Sequence, residues 1–374
     1  MTKEIELFDA LCGTGKTTAI FQYMAKHQDK KWIYLSPMKT EIETRVPAEA
    51  DANGINFFIA VDKGKRSEYK TKTQQVLAAM KEGQNIACTH ALMMLFQQEH
   101  IELLKEHQYH VVCDEELDLI EGFSLRQGDT KFLLENNHIS ISPDNGRVSF
   151  LSEMDIDTRY GDIKSYADMG CLYAARTRTD FLVLQISPRV VEAAERFILL
   201  TYNYKGSIMD TFMQMHGFRC KYLEDIKPYK DNKEVINKLR DLIVFVETPS
   251  VKKWQKKTNV LSATWWRKTS TEEDFNDLRK AVRSVVSAHK GNSTNVMLTV
   301  PKHSITGYDS DGESSKRVRK FTVDKLIIDD AYVQMNARAT NDYAHKSIAI
   351  HLCNIYPSQP VKVYMQDMGF VCDN

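Results

Sequence analysis

Residues 5–21 read Ile-Glu-Leu-Phe-Asp-Ala-Leu-Cys-Gly-Thr-Gly-Lys-Thr-Thr-Ala-Ile-Phe, an alternating strand pattern that passes through a glycine turn into a helical one. So tight a passage from strand to helix demands positive φ angles, which Gly13 and Gly15 can adopt without a Cβ clash. Ala10 to Thr17 fit the phosphate-binding loop, with Ala in place of its first glycine. In such a loop the backbone around Gly13, Thr14, Gly15, Lys16, Thr17 and Thr18 cradles an anion. The Lys16 amine reaches the β- and γ-phosphates, the Thr17 hydroxyl holds Mg²⁺, and a helix over 17–25 adds its dipole. A nucleoside triphosphate is the expected ligand.

A second motif, Tyr109-His110-Val111-Val112-Cys113-Asp114-Glu115-Glu116-Leu117-Asp118, is an apolar strand ending in acids. A parallel sheet delivers such carboxylates to the same edge as the phosphate loop. There Asp114 holds Mg²⁺ and Glu115 orients and deprotonates the attacking water. Acids after a strand also suit the first turn of a following helix. The partnership with the phosphate loop favours hydrolysis.

In motif order the chain resembles the superfamily 2, DEAD-like helicases, whose two RecA-like domains use ATP and Mg²⁺ to move on nucleic acid. The strings Leu200-Thr201-Tyr202 and Asn336-Ala337-Arg338-Ala339-Thr340-Asn341-Asp342-Tyr343 look most like bacteriophage-encoded members. The resemblance implies that Ser36 and Pro37, after the strand Trp32–Ser36, and Thr89 and His90, after Asn85–Thr89, lie beside a nucleic-acid backbone. A strand-ending turn is the alternative for Ser36-Pro37. Two segments compete for the motif that couples nucleotide state to the groove. Ser262-Ala263-Thr264 has the expected spelling but follows a polar, basic run, so Thr201, after an apolar strand, is preferred. Arg338 or Thr340 would serve the same coupling, or would belong to a polar loop with turn-capping Asn and Asp. The family's arginine-bearing sixth motif and its upstream glutamine motif have no match here. The second domain is therefore expected to be incomplete, with the arginine supplied from elsewhere or hydrolysis impaired.

The expected fold class is α/β, with two RecA-like phosphate-loop domains of mainly parallel sheet. Domain 1 spans 1–216, with an insertion over about 124–180; domain 2 spans 217–374. Within the insertion, Pro143-Asp144-Asn145-Gly146 between alternating segments predicts a β-hairpin over 139–151. A new α/β pattern is read from Arg219 onward, with strands at 295–300 and 347–353. The polar stretch 303–320 reads as an exposed loop.

Fifty Lys and Arg balance fifty Asp and Glu, so any attraction to nucleic acid must come from a local patch. Lys252, Lys253, Lys256 and Lys257 surround Trp254 and form the first candidate, suited to phosphate neutralisation and base stacking. The cluster 316–320 is a second, while Trp265 and Trp266 read as core. Seven scattered cysteines without zinc spacing fit a reducing compartment, and Cys12 in the loop reads as a small filler. With no 18-residue apolar run, the expected setting is the cytoplasm, a host's if the chain is phage-encoded, with no membrane partner.

The functional expectation is an ATP-dependent DNA helicase or translocase acting on single-stranded DNA in phage replication or recombination. A DNA-packaging motor and a nucleotide-gated binding module with weak turnover are the alternatives.

Overall fold

A computed structural model of the chain describes residues 3–62, 69, 71–115, 120–123, 125–126, 128–152, 160–247, 249, 252, 254, 259–311, 314–324, 326–335, 343–354 and 358–370. They form two compact units, Met1–Leu242 with Ser358–Asp373, and Ile243–Pro357 with Asn374.

The first unit is built on strands β1 (Glu4–Asp9), β2 (Trp32–Ser36), β3 (Phe58–Ile59), β4 (Ile86–Thr89) and β5 (His110–Asp114). A smaller region contributes β6 (Ile120–Phe123), β7 (Ile139–Ile141), β8 (Val148–Phe150), β9 (Leu172–Ala174) and β10 (Leu182–Gln185). The chain then returns through β11 (Arg196–Thr201) and β12 (Arg219–Tyr222). The large sheet has the order β12-β1-β11-β5-β2-β4-β3, with every pairing parallel.

Burial on both faces explains why β2 and β5 are apolar from Trp32 to Leu35 and from Val111 to Cys113. Side chains alternate between those faces. Ile33, Leu35, Val111 and Cys113 enter one core. Trp32, Tyr34 and Val112 enter the other, with Ile20, Phe21 and Met24 of helix α1 (Lys16–Lys26). Asp114 shares the parity of Val112 and so belongs to the α1 face, a placement already implicit in the strand's period.

The smaller region has the antiparallel sheet β6-β10-β9 and the hairpin β7–β8, where the sequence placed a hairpin. Gly146 in its turn has φ 73°, and a Cβ there would lie 2.2 Å from the Ala174 carbonyl oxygen. No other residue type fits that approach.

Two sequence expectations need correction. Arg219–Tyr222 does not begin a second sheet: it pairs with β1, because Glu4–Leu7 offers it a parallel edge. Helix α2 (Asn232–Leu242) also lies in the first unit, which ends at 242 and not at the expected 216. The chain re-enters that unit through α4 (Gln359–Asp367), after α3 (Glu272–Ala288) of the second. Val361, Tyr364 and Met365 of α4 are buried in the first unit's core.

In the second unit β13 (Val296–Val300), β16 (Tyr332–Gln334) and β17 (Ile348–His351) form a parallel sheet in the order β16-β13-β17. Trp265, Trp266, Phe275 and Phe321 fill its core, and the Trp266 indole N–H donates to the Leu352 carbonyl at 3.1 Å. The stretch 303–320 is the other correction. It contains the short helix Lys302–Thr306 and the antiparallel pair β14 (Tyr308–Asp311) and β15 (Ser314–Arg317), not an open loop. Backbone pairing there overrides the polar composition.

The expected fold class holds, mixed α/β with mainly parallel sheets. Among the described residues no helix is long and apolar enough to cross a membrane.

Candidate nucleotide-binding site

β1 ends at Asp9 and the chain turns through residues 10–15 into α1. Gly13 (φ 75°) and Gly15 (φ 90°) make the turn, with Gly15 as the helix N-cap. No side chain caps this helix among the described residues. Its first-turn amides therefore remain available to an anion at the positive end of the helix dipole.

Thr14 is buried and closes the turn internally, donating from Oγ1 to the Leu11 carbonyl at 2.7 Å and from its amide to the same oxygen at 3.3 Å. Lys16 donates to the carbonyls of Ala10 and Leu11. Thr18 donates to Glu49 Oε1 at 3.0 Å, so its hydroxyl braces the helix and its amide is the group facing the loop. Cys12 is exposed.

From α1, Thr17 donates to Asp114 Oδ2 at 3.1 Å, across 97 residues of sequence. Tyr34, fully buried on β2, donates to the same oxygen. Burial pushes the Asp114 carboxyl above its ordinary range, and the Tyr34 and Thr17 hydroxyls and the Arg45 charge oppose that shift. Burial, then the adjacent Asp114 charge, pushes the Tyr34 phenol well above its usual value, so it remains a donor. The Thr17 hydroxyl and the Asp114 carboxylate are oxygen donors that would suit a hard divalent cation, and the uncapped helix start would suit phosphate oxygens. Among the described residues no group of three His, Cys, Asp or Glu suggests another metal centre.

Glu115 follows with φ 63°, left-handed backbone that is uncommon for a residue with a side chain. Its amide donates to the Leu200 carbonyl at 2.9 Å, and the next carbonyl on β11, that of Thr201, accepts from the Ala10 amide at 2.9 Å. Thr201 is buried between the two motifs, since β11 lies between β1 and β5. Ser262-Ala263-Thr264 instead precedes a helical turn in the second unit.

The residues expected beside nucleic acid serve local structure. Ser36 is fully buried and donates to Glu41 Oε2 at 2.6 Å, while Pro37 is half-buried. Thr89 caps the following turn by accepting from the Leu92 amide at 3.2 Å. His90 is buried, its Nε2 3.6 Å from Cys113 Sγ. Lys252 is exposed and pairs with Glu247 at 3.0 Å. Lys253, Lys256, Lys257, Arg338 and Thr340 lie outside the described residues.

Sequence reasoning passed over Tyr34 and the segment after β12. The signal for Tyr34 was present: its strand position has the parity that faces α1. The later segment carries none, because only the fold brings Tyr229 and Asn232 against the loop. Tyr229 donates its amide to the Thr14 carbonyl at 3.0 Å, and Asn232 Oδ1 accepts from the Leu11 amide at 3.0 Å.

Comparison with known proteins finds similarities to a family, a prophage protein and solved structures. The family described as the YonV C-terminal Rossmann-like domain matches residues 237–374. The SPbeta prophage-derived uncharacterized protein YonV of Bacillus subtilis (strain 168) is 18% identical over 383 residues, covering 99% of this chain and 88% of that protein. A solved structure of an XPD helicase aligns over 100% of this chain and 85% of its own, at 13% identity and a TM-score of 0.44.

Proposed function

We propose that this chain is an ATP hydrolase of helicase or translocase type, coupling turnover to movement on nucleic acid, with single-stranded DNA as its track. The observation that carries the ATPase part is the meeting of Thr17 with Asp114 beside a glycine-capped helix start. The motor part, and with it a role in phage DNA replication or recombination, rests on the motif order of the sequence; the prophage-derived name of the relative supports the phage setting alone.

In this reading Lys16 neutralises the outer phosphates, and the amides of Gly13 and of residues 15–18 hold their oxygens. Thr17 and Asp114 hold Mg²⁺, which supplies charge neutralisation on those oxygens. Glu115 holds the attacking water and takes its proton. Thr201, whose neighbour Leu200 bonds the Glu115 amide while its own carbonyl bonds Ala10, relays a change at either motif to the other. Arg338, Thr340 and the lysines 252, 253, 256 and 257 remain proposals for coupling and track contact.

The test is the ATPase rate with and without single-stranded DNA, followed by unwinding of a tailed duplex. Stimulation with unwinding supports a helicase, and stimulation alone a translocase. A nucleotide-gated nucleic-acid-binding module with weak turnover is the second reading, motivated by the lack of a match to the family's arginine-bearing motif in this sequence. Nucleotide binding without DNA stimulation would select it.

A further inference from the structure

We propose that Tyr229 is the platform on which the base of the bound nucleotide stacks. This rests on the preceding placement of the triphosphate at the phosphate loop, and it assigns the part of the ligand that the loop cannot hold.

After β12 the chain does not leave the sheet edge. Ile226 is buried in the α1-side core, Tyr229 bonds the Thr14 carbonyl, and Asn232 bonds the Leu11 amide. Asp231 then accepts from the amides of Lys233 (2.8 Å) and Glu234 (3.2 Å), fixing the start of α2. The segment is thus fastened before, at and after Tyr229. Yet the Tyr229 side chain does not enter a core: the residue is 58% exposed, and its ring lies against Gly15, where a Cβ would sit 2.6 Å from Tyr229 Cδ2. A Cβ on Gly13 would meet nothing within 4 Å, so the ring covers one side of the loop and leaves the other open. A rigidly mounted aromatic with a free face is suited to stacking on a planar heterocycle.

Strand order supplies the direction. From β1, Asp114 stands two strands away on one side, and β12, which leads to Tyr229, is the immediate neighbour on the other. A triphosphate whose terminal phosphate faces Asp114 and Glu115 carries its base away from them, toward β12. Stacking tolerates every base, because each presents a planar π-face.

The experiment is equilibrium binding to the full chain, with Mg·ATP and Mg·tripolyphosphate as the two probes. Wild type, Tyr229→Ala and Tyr229→Phe are compared after circular dichroism has established equal folding. Stacking on one base predicts that Tyr229→Ala weakens ATP about ten-fold, leaves tripolyphosphate within about two-fold, and that Tyr229→Phe restores ATP binding. Equal weakening of both probes means that the ring only supports the loop, and overturns the proposal. Unchanged or tighter ATP binding by Tyr229→Ala also overturns it, since the ring then contributes nothing or obstructs the site. If the wild type binds neither probe, the phosphate-loop reading itself fails and the platform falls with it.

Discussion

Tyr34 and Thr17 donate to one and the same oxygen of Asp114, Oδ2, from β2 and α1 respectively. Two hydroxyls on one oxygen fix the orientation of the carboxylate. The strand that ends in Ser36 thereby shapes the acid at the end of β5.

Tyr34→Phe removes one of those donors and keeps the ring's packing. The variant is expected to lose about 1–3 kcal/mol of stability, as for a buried polar group deprived of its partner. The Mg²⁺ concentration for half-maximal nucleotide binding should rise several-fold. A magnesium titration that superimposes on wild type would remove Tyr34 from the site.

Asp114→Asn tests the cost of burying the carboxylate. Because the folded pKa is raised, the folded chain holds this proton more tightly than the unfolded one. The stabilising contribution is complete below the ordinary carboxylate range and is lost as pH rises through the elevated value. In magnesium-free buffer near pH 7 the Asn variant is therefore expected to melt above wild type, and with Mg²⁺ restored to have lost turnover. Scanning calorimetry at pH 4 and 7 gives the answer: an advantage that does not grow with pH contradicts the account.

His110 and His216 bend stability the other way. His110 is buried and His216 half-buried, with the buried atoms His110 Nδ1 and His216 Nε2 lacking partners among the described residues. Burial depresses both to about 4. A depressed imidazole contributes stability that is complete above its unfolded value of about 6.5 and is lost as pH falls toward 4. Replacing His216, which packs on Phe212 with ring centroids 4.5 Å apart, by Phe should flatten the acid limb of a melting-temperature profile. An unchanged limb would assign acid sensitivity elsewhere.

Lys16→Ala is expected to abolish ATP binding, whereas Glu115→Gln should bind ATP normally and hydrolyse it at least about 10²-fold more slowly, the usual scale for a general base. Equilibrium binding beside single-turnover hydrolysis separates the two. Normal hydrolysis by Glu115→Gln would show that another group activates the water.

In the second unit Trp266→Ala removes an indole that packs with its ring centroid 5.3 Å from Phe275 and 5.4 Å from Phe321. A loss of about 3–5 kcal/mol is expected for such a cavity. Chemical denaturation followed by fluorescence reads it.

The strands of the large sheet were legible because burial on both faces leaves unbroken apolar runs, as at Trp32–Leu35 and Val111–Cys113. The phosphate loop was legible because glycine spacing is a local conformational demand. What local pattern cannot carry is the choice of neighbour. Arg219–Tyr222 has a strand pattern that suits either unit, and only the open edge of β1 decides its partner. Tyr34 looks like any buried aromatic until Asp114 is placed beside it. Ser36 and Thr89 sit where motif order put them, but their side-chain bonds are spent on Glu41 and on the Leu92 amide.

Helix α4 has a practical consequence for dissecting this molecule. A fragment ending at Leu242 discards the segment that buries Val361, Tyr364 and Met365, and deprives Gln185 of the Tyr364 hydroxyl it reaches at 3.1 Å. Such a fragment bares an oily trough and should aggregate. An internal deletion of 243–357, spliced through a glycine-serine bridge long enough to join Leu242 to Ser358, keeps that trough covered and is the better starting material for isolating the first unit.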